Sequence, residues 1–145
     1  MSKWLYFVMV CLFVSSSHAQ QATVEPTDRP VAIAGMMRMT HTYGPPGYGE
    51  DHRRDLKVSY LALQLSFSVT TTCTPQLADL QNIQCGSTDV LRLVFPINAD
   101  AADLRKKARL LVGHKVLVTG VLHRQESMAD YTKVYMDVAE IAPLP

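Results

Sequence analysis

The chain has little of what most function classes require. Its 145 residues include only three cysteines, one tryptophan and five histidines, and its fourteen Lys and Arg are nearly balanced by thirteen Asp and Glu. The missing basic excess argues against nucleic acid or an anionic membrane as partner, because such binding is driven by clustered positive charge. No HxH or HxxxH spacing occurs, so no convergent metal-ligand set is expected, and no cofactor either. There is no GxSxG elbow to expose a nucleophilic serine. After the first residues, no apolar run is long enough to cross a bilayer.

Those first residues, MSKWLYFVMVCLFVSSSHA, place one lysine before an apolar run from Trp4 to Val14 and small polar residues after it. This order predicts a secretory signal peptide over 1–19, cleaved before Gln20, and hence a periplasmic or secreted protein with no transmembrane anchor after cleavage. Without the leader, Lys3 is lost and the charges balance. Of the cysteines only Cys73 and Cys85 remain, an even pair in an exported chain, which predicts a disulfide between them.

Residues 20–30, QQATVEPTDRP, show no periodicity and read as a flexible segment. A single domain is expected over 31–145. VAIAGMMRMTH puts Val31, Ile33, Met37 and Met39 on one face of a strand, with a bulge or sharp coil at Gly35. YLALQLSFSVT (60–70) alternates strictly, with Leu61, Leu63, Leu65, Phe67 and Val69 turned inward. VLRLVF (90–95) is a third strand stopped by Pro96. DAADLRKKARLLVG is a helix in which Asp100 is the expected cap and Gly113 the left-handed stop. Lys106, Lys107 and Arg109 read as a solvated face that complements the helix dipole. Strands at 115–123 and 133–141 follow, with a bulge expected at Gly120. Five strands with a helix after the third predict a mainly β, OB-fold-like Greek-key barrel, with an α+β sandwich as the alternative.

The joint between the first two strands stands out. THTYGPPGYGEDHRRD (40–55) holds two prolines, three glycines, two tyrosines, two histidines and two arginines. Tyrosine and arginine are the types that anchor protein interfaces. Tyr43, Tyr48, His52, Arg53 and Arg54 are therefore the candidate ligand-binding residues, with Glu50 and Asp51 read as a solvated turn. No catalytic residues are assigned. The expected function is non-enzymatic binding of a protein or cell-envelope ligand. Inhibitor or immunity-type binding is one concrete form, and the residues do not select it over a glycan or small ligand. The rival reading is a small envelope enzyme using carboxylates or histidines of the same loop.

Three features together give a resemblance: the Tyr43-Gly44-Pro45-Pro46-Gly47-Tyr48 turn, Cys73 closing the long strand, and VGHKVLVTGVLH followed by a valine-rich last strand. Over Ala32 to Ile141 the chain resembles an exported bacterial family, domain of unknown function 4431. The resemblance implies an OB-like fold and export, and no chemistry. Members often carry a histidine-rich connection before the final strand. Here it reads RQESMADYT, with only His123 at its edge, so no metal role carries over.

Overall fold

The computed structural model describes residues 22–23, 29–71, 86–125 and 131–145. Residues 1–19, predicted as a leader, and Cys73 and Cys85 lie outside the described residues. Among the described residues there are six strands and one helix: β1 (Ala22–Thr23), β2 (Val31–Tyr43), β3 (Lys57–Thr71), β4 (Gly86–Val94), α1 (Ala99–Leu110), β5 (Lys115–Arg124) and β6 (Val134–Pro143). β2 pairs antiparallel with both β3 and β5, β3 with β4, and β5 with β6, while β4 and β6 run parallel. The circuit β2-β3-β4-β6-β5 returns to β2, so the five long strands close into a Greek-key barrel of the OB type. α1 lies between its third and fourth strands, as the order of apolar segments predicts.

The core follows the alternation read from the sequence. Met37, Leu63, Leu91, Leu122, Met136 and Ile141 are fully buried, each contributing about 1.5–3 kcal/mol on leaving water. Met39, expected on the same inward face as Met37, is instead 37% exposed. It lies where β3 and β4 diverge, beyond their last shared rung at Ala62↔Arg92.

Two glycines shape the barrel. At Gly35, β2 passes from its partner β5 to its partner β3, and Met36 is registered with both Lys115 and Gln64. A Cβ on Gly35 would lie 2.6 Å from the Gln64 carbonyl oxygen, so the crossing needs the missing side chain. This is the coil alternative of the expectation, since neither register shifts there. At Gly120 the expected bulge is present, but the extra residue belongs to the opposite strand. Thr119 faces Glu140 and Gly120 faces Val138, which leaves Ala139 without a rung.

Two expectations are corrected locally. The cap of α1 is Asn98, not Asp100. Asn98 is extended (φ −144°, ψ 173°) and its side chain accepts the Ala101 N–H at 2.8 Å, whereas Asp100 is already helical in the first turn. Within 20–30, Ala22–Thr23 forms a short parallel strand on Val69–Thr70. β2 has already left β3 at that level, and the extra strand covers the freed edge. The helix stop is as expected: Gly113 has φ +87°, and its N–H donates to the Met37 carbonyl at 2.8 Å, fastening the helix exit to β2. Among the described residues, no helix is long and apolar enough to cross a membrane.

Candidate binding site at the β2–β3 loop

The loop of residues 44–56 joins β2 to β3 at one end of the barrel. Its ends are held by Gly44 N–H to the Leu56 carbonyl (2.7 Å) and Leu56 N–H to the Pro45 carbonyl (3.0 Å). Its middle is organised by Asp55, which the sequence reading passed over. Asp55 is only 7% exposed, and its carboxylate accepts the N–H groups of Gly47 (2.7 Å), Gly49 (2.7 Å) and Asp51 (3.1 Å). Burial pushes the carboxyl pKa up, but the three N–H donors, with His52 adding a coulombic contribution, outweigh it and leave it below the ordinary value. No spacing marks Asp55 in the sequence, because its partners are backbone groups that converge only once the loop has closed.

The predicted residues divide into two groups. His52 stacks on Tyr43, ring centroids 4.3 Å apart and 7° from parallel. His52, Arg53 and Arg54 are exposed and form the outer rim of the turn. Tyr48 is half-buried and faces elsewhere: its ring meets Tyr131 at 6.5 Å. Tyr131 comes from the far end of the chain, just before β6, and continues the cluster by stacking on Tyr60 at 6.0 Å and 12°. The Arg92 guanidinium lies 5.2 Å from the Tyr131 ring centroid. Burial pushes the Tyr60 phenol pKa up, and nearby Arg92 offsets part of the rise.

Tyr48 and Tyr131 share a second property. Among the described residues they are the two non-glycine positions with positive φ, at 52° and 57°. Such a conformation costs an L-residue on the order of 1 kcal/mol and persists where surrounding contacts impose it. Gly44 makes room for this arrangement, since a Cβ there would sit 3.1 Å from the Tyr131 hydroxyl.

Beside the cluster, the outer face of β2, β3 and β4 carries a groove of about 420 Å³ whose lining includes Arg38, Tyr60, Gln64, Tyr131 and Lys133. Its floor is Ala62, registered between Arg38 on β2 and Arg92 on β4. Sequence reading missed this face. Its only signal was the polar set that alternates with the core residues of each strand. Farther along the same row, His123 stacks on Tyr135 at 5.0 Å and contacts the Asp137 carboxylate at 3.1 Å. Among the described residues no three His, Cys, Asp or Glu side chains gather to hold a metal.

No family model, curated protein or solved structure matches the chain.

Proposed function

We propose that the protein is an exported, non-enzymatic binding module that recognises a protein or cell-envelope ligand through the β2–β3 loop and the tyrosine wall beside it. One observation carries the reading: the two left-handed tyrosines, Tyr48 and Tyr131, meet ring to ring from segments more than eighty residues apart in sequence. Backbone strain held by packed rings makes a preorganised surface, which lowers the ordering cost of binding. Exposed His52, Arg53 and Arg54 supply the adjoining polar rim. A binding role suits the carboxylates better than catalysis does, since both Asp55 oxygens are engaged by backbone N–H groups while Glu50 and Asp51 are exposed. Export rests on the leader, and the resemblance to domain of unknown function 4431 supports the same compartment.

The test is affinity capture from a cell-envelope extract with the mature chain as bait, comparing wild type with the Arg53→Ala/Arg54→Ala double variant. Both side chains are exposed, so the melting temperature should stay within the effect of about 0.5 kcal/mol. Loss of the captured species in the double variant is the expected result. Equal capture by both proteins would remove the loop rim from the site.

A further inference from the structure

The ladder between β3 and β4 ends at Ala62↔Arg92. Beyond that rung β3 continues to pair with β2 as far as Tyr43↔Lys57, while β4 follows β6 through Val94↔Asp137. The two strands therefore part, and the edge of β3 from Lys57 to Leu61 has no rung on its β4 side among the described residues. A cleft of about 450 Å³ fills the parting, lined by Ser59, Tyr60 and Leu61 of one strand and by the run Arg92–Phe95 of the other. Successive side chains of a strand point to opposite faces. A lining of consecutive residues therefore means that the cleft is entered edge-on, with the strand backbones as its walls.

The third wall is cationic. Arg105 and Arg109 of α1, one helical turn apart and so on one face, line the cleft, with Arg92 across from them on β4. The Arg105 guanidinium rests 5.7 Å from the Phe95 ring centroid. Among the described residues no Asp or Glu lines the cleft. The sequence had placed Arg109 with Lys106 and Lys107 on one solvated helix face. All three are exposed, but Lys107 and Arg109, two residues apart on the helix, point to different sides: Lys107 lines a different depression with Asp100 and Asp103, and Arg109 faces the parted strands with Arg105.

We propose that this seam is a second binding site, for an extended acidic peptide segment of a protein partner. The segment's main chain runs along the open edge of β3, and its carboxylates meet Arg105 and Arg109. The proposal rests on the reading of the chain as a binding module; it shares Tyr60 and Arg92 with the tyrosine wall, but its Arg105 and Arg109 and the β3 edge lie outside the loop. A strand edge offers both N–H and C=O groups, which a peptide main chain satisfies and a phosphodiester, having acceptors only, does not. Guanidinium groups take carboxylates in paired hydrogen bonds. The two rings of the lining that a nucleobase would need are already engaged: Phe95 is only 8% exposed and carries Arg105, and Tyr60 is half-buried and stacked on Tyr131.

Fluorescence anisotropy tests this with a labelled decapeptide of alternating Glu and Val, a Gln-for-Glu version and a single-stranded oligonucleotide, each titrated with the mature chain. Saturable binding of the Glu peptide is expected, with affinity about tenfold weaker for the Gln version and about tenfold weaker for Arg105→Gln/Arg109→Gln, the combined effect of two exposed charge pairs. Arg109→Gln alone, which disturbs no ring contact, should show part of the same loss and serves if the double variant melts early. Arg53→Ala/Arg54→Ala should bind the Glu peptide as wild type does, so failure of the loop reading and failure of the seam are distinguishable. No saturable binding, equal affinity for both peptides, or indifference to the arginines would overturn the proposal. So would tighter, arginine-dependent binding of the oligonucleotide, which would assign the seam to nucleic acid.

Discussion

The Gly47 N–H points at Oδ1 of Asp55 across 2.7 Å, and this bond fixes the loop that carries the candidate recognition residues. Two further N–H groups share the same carboxylate, so one buried side chain replaces the ladder that a loop of this length lacks. Asp55→Asn keeps the size but sets an amide donor against a backbone donor. Amide exchange at Gly47, Gly49 and Asp51 should quicken, and the melting temperature should fall. Unchanged exchange would show that the loop is held by other contacts.

The same carboxylate gives a pH dependence with a definite sign. Its folded pKa is depressed, so its stabilisation is present above the unfolded value of about 4 and is lost as pH falls through the folded value. The difference in melting temperature between wild type and Asp55→Asn should be full near neutrality and shrink on acidification below about 4. A difference that stayed constant from pH 6 into that acid range would rule out the ionised carboxylate as its source.

Tyr48→Gly separates recognition from scaffold. Glycine removes the positive-φ penalty, on the order of 1 kcal/mol, while loss of the ring contact with Tyr131 costs about 0.5–1.5 kcal/mol. Lost burial of the half-buried ring and the added freedom of glycine in the unfolded chain come on top of that, so thermal stability should fall moderately while envelope capture drops. Retained capture together with a large loss of stability would make Tyr48 part of the architecture alone.

Gly35→Ala should destabilise by about 1–3 kcal/mol, because the new methyl meets a backbone oxygen and the Leu63 side chain at 2.6–2.7 Å. Gly49→Ala is the contrast. It finds nothing within 4 Å, and its cost comes only from φ +108°. Denaturant melts of the two variants check the order, and equal or reversed costs would contradict the close crossing of β2 over β3.

Asn98→Ala should cost about 1 kcal/mol through loss of the helix cap, and Asp100→Ala about 0.3 kcal/mol through the dipole alone. The reverse ranking in urea unfolding would return the cap to Asp100.

The proposed Cys73–Cys85 disulfide rests on the even cysteine pair left once the predicted leader is removed. A bond closing so short a loop should contribute about 3 kcal/mol. Thiol labelling of the denatured, unreduced mature chain should find no free cysteine. Two labelled thiols would exclude the bond.

What the sequence determined by itself is local. Alternation in 60–70 marked the core face of β3, Pro96 marked the end of β4, Gly113 marked the helix stop, and the count of segments implied an OB-type barrel. These hold because side-chain period, missing N–H groups and left-handed φ act within a few residues. The position of the candidate loop between the first two barrel strands was legible for the same reason. The tertiary structure alone decided that Tyr48 turns toward Tyr131 while Tyr43 takes His52, that Asp55 gathers three N–H groups, and that the helix face carrying Arg105 and Arg109 meets the parted strands. The Tyr48–Tyr131 contact and the meeting of α1 with the parted strands depend on segments brought together by barrel closure, and the Asp55 and Tyr43–His52 contacts on closure of the loop itself. A residue's own neighbours fix its backbone state and its face, but what meets that face is set by strand register across the barrel, which no local pattern encodes.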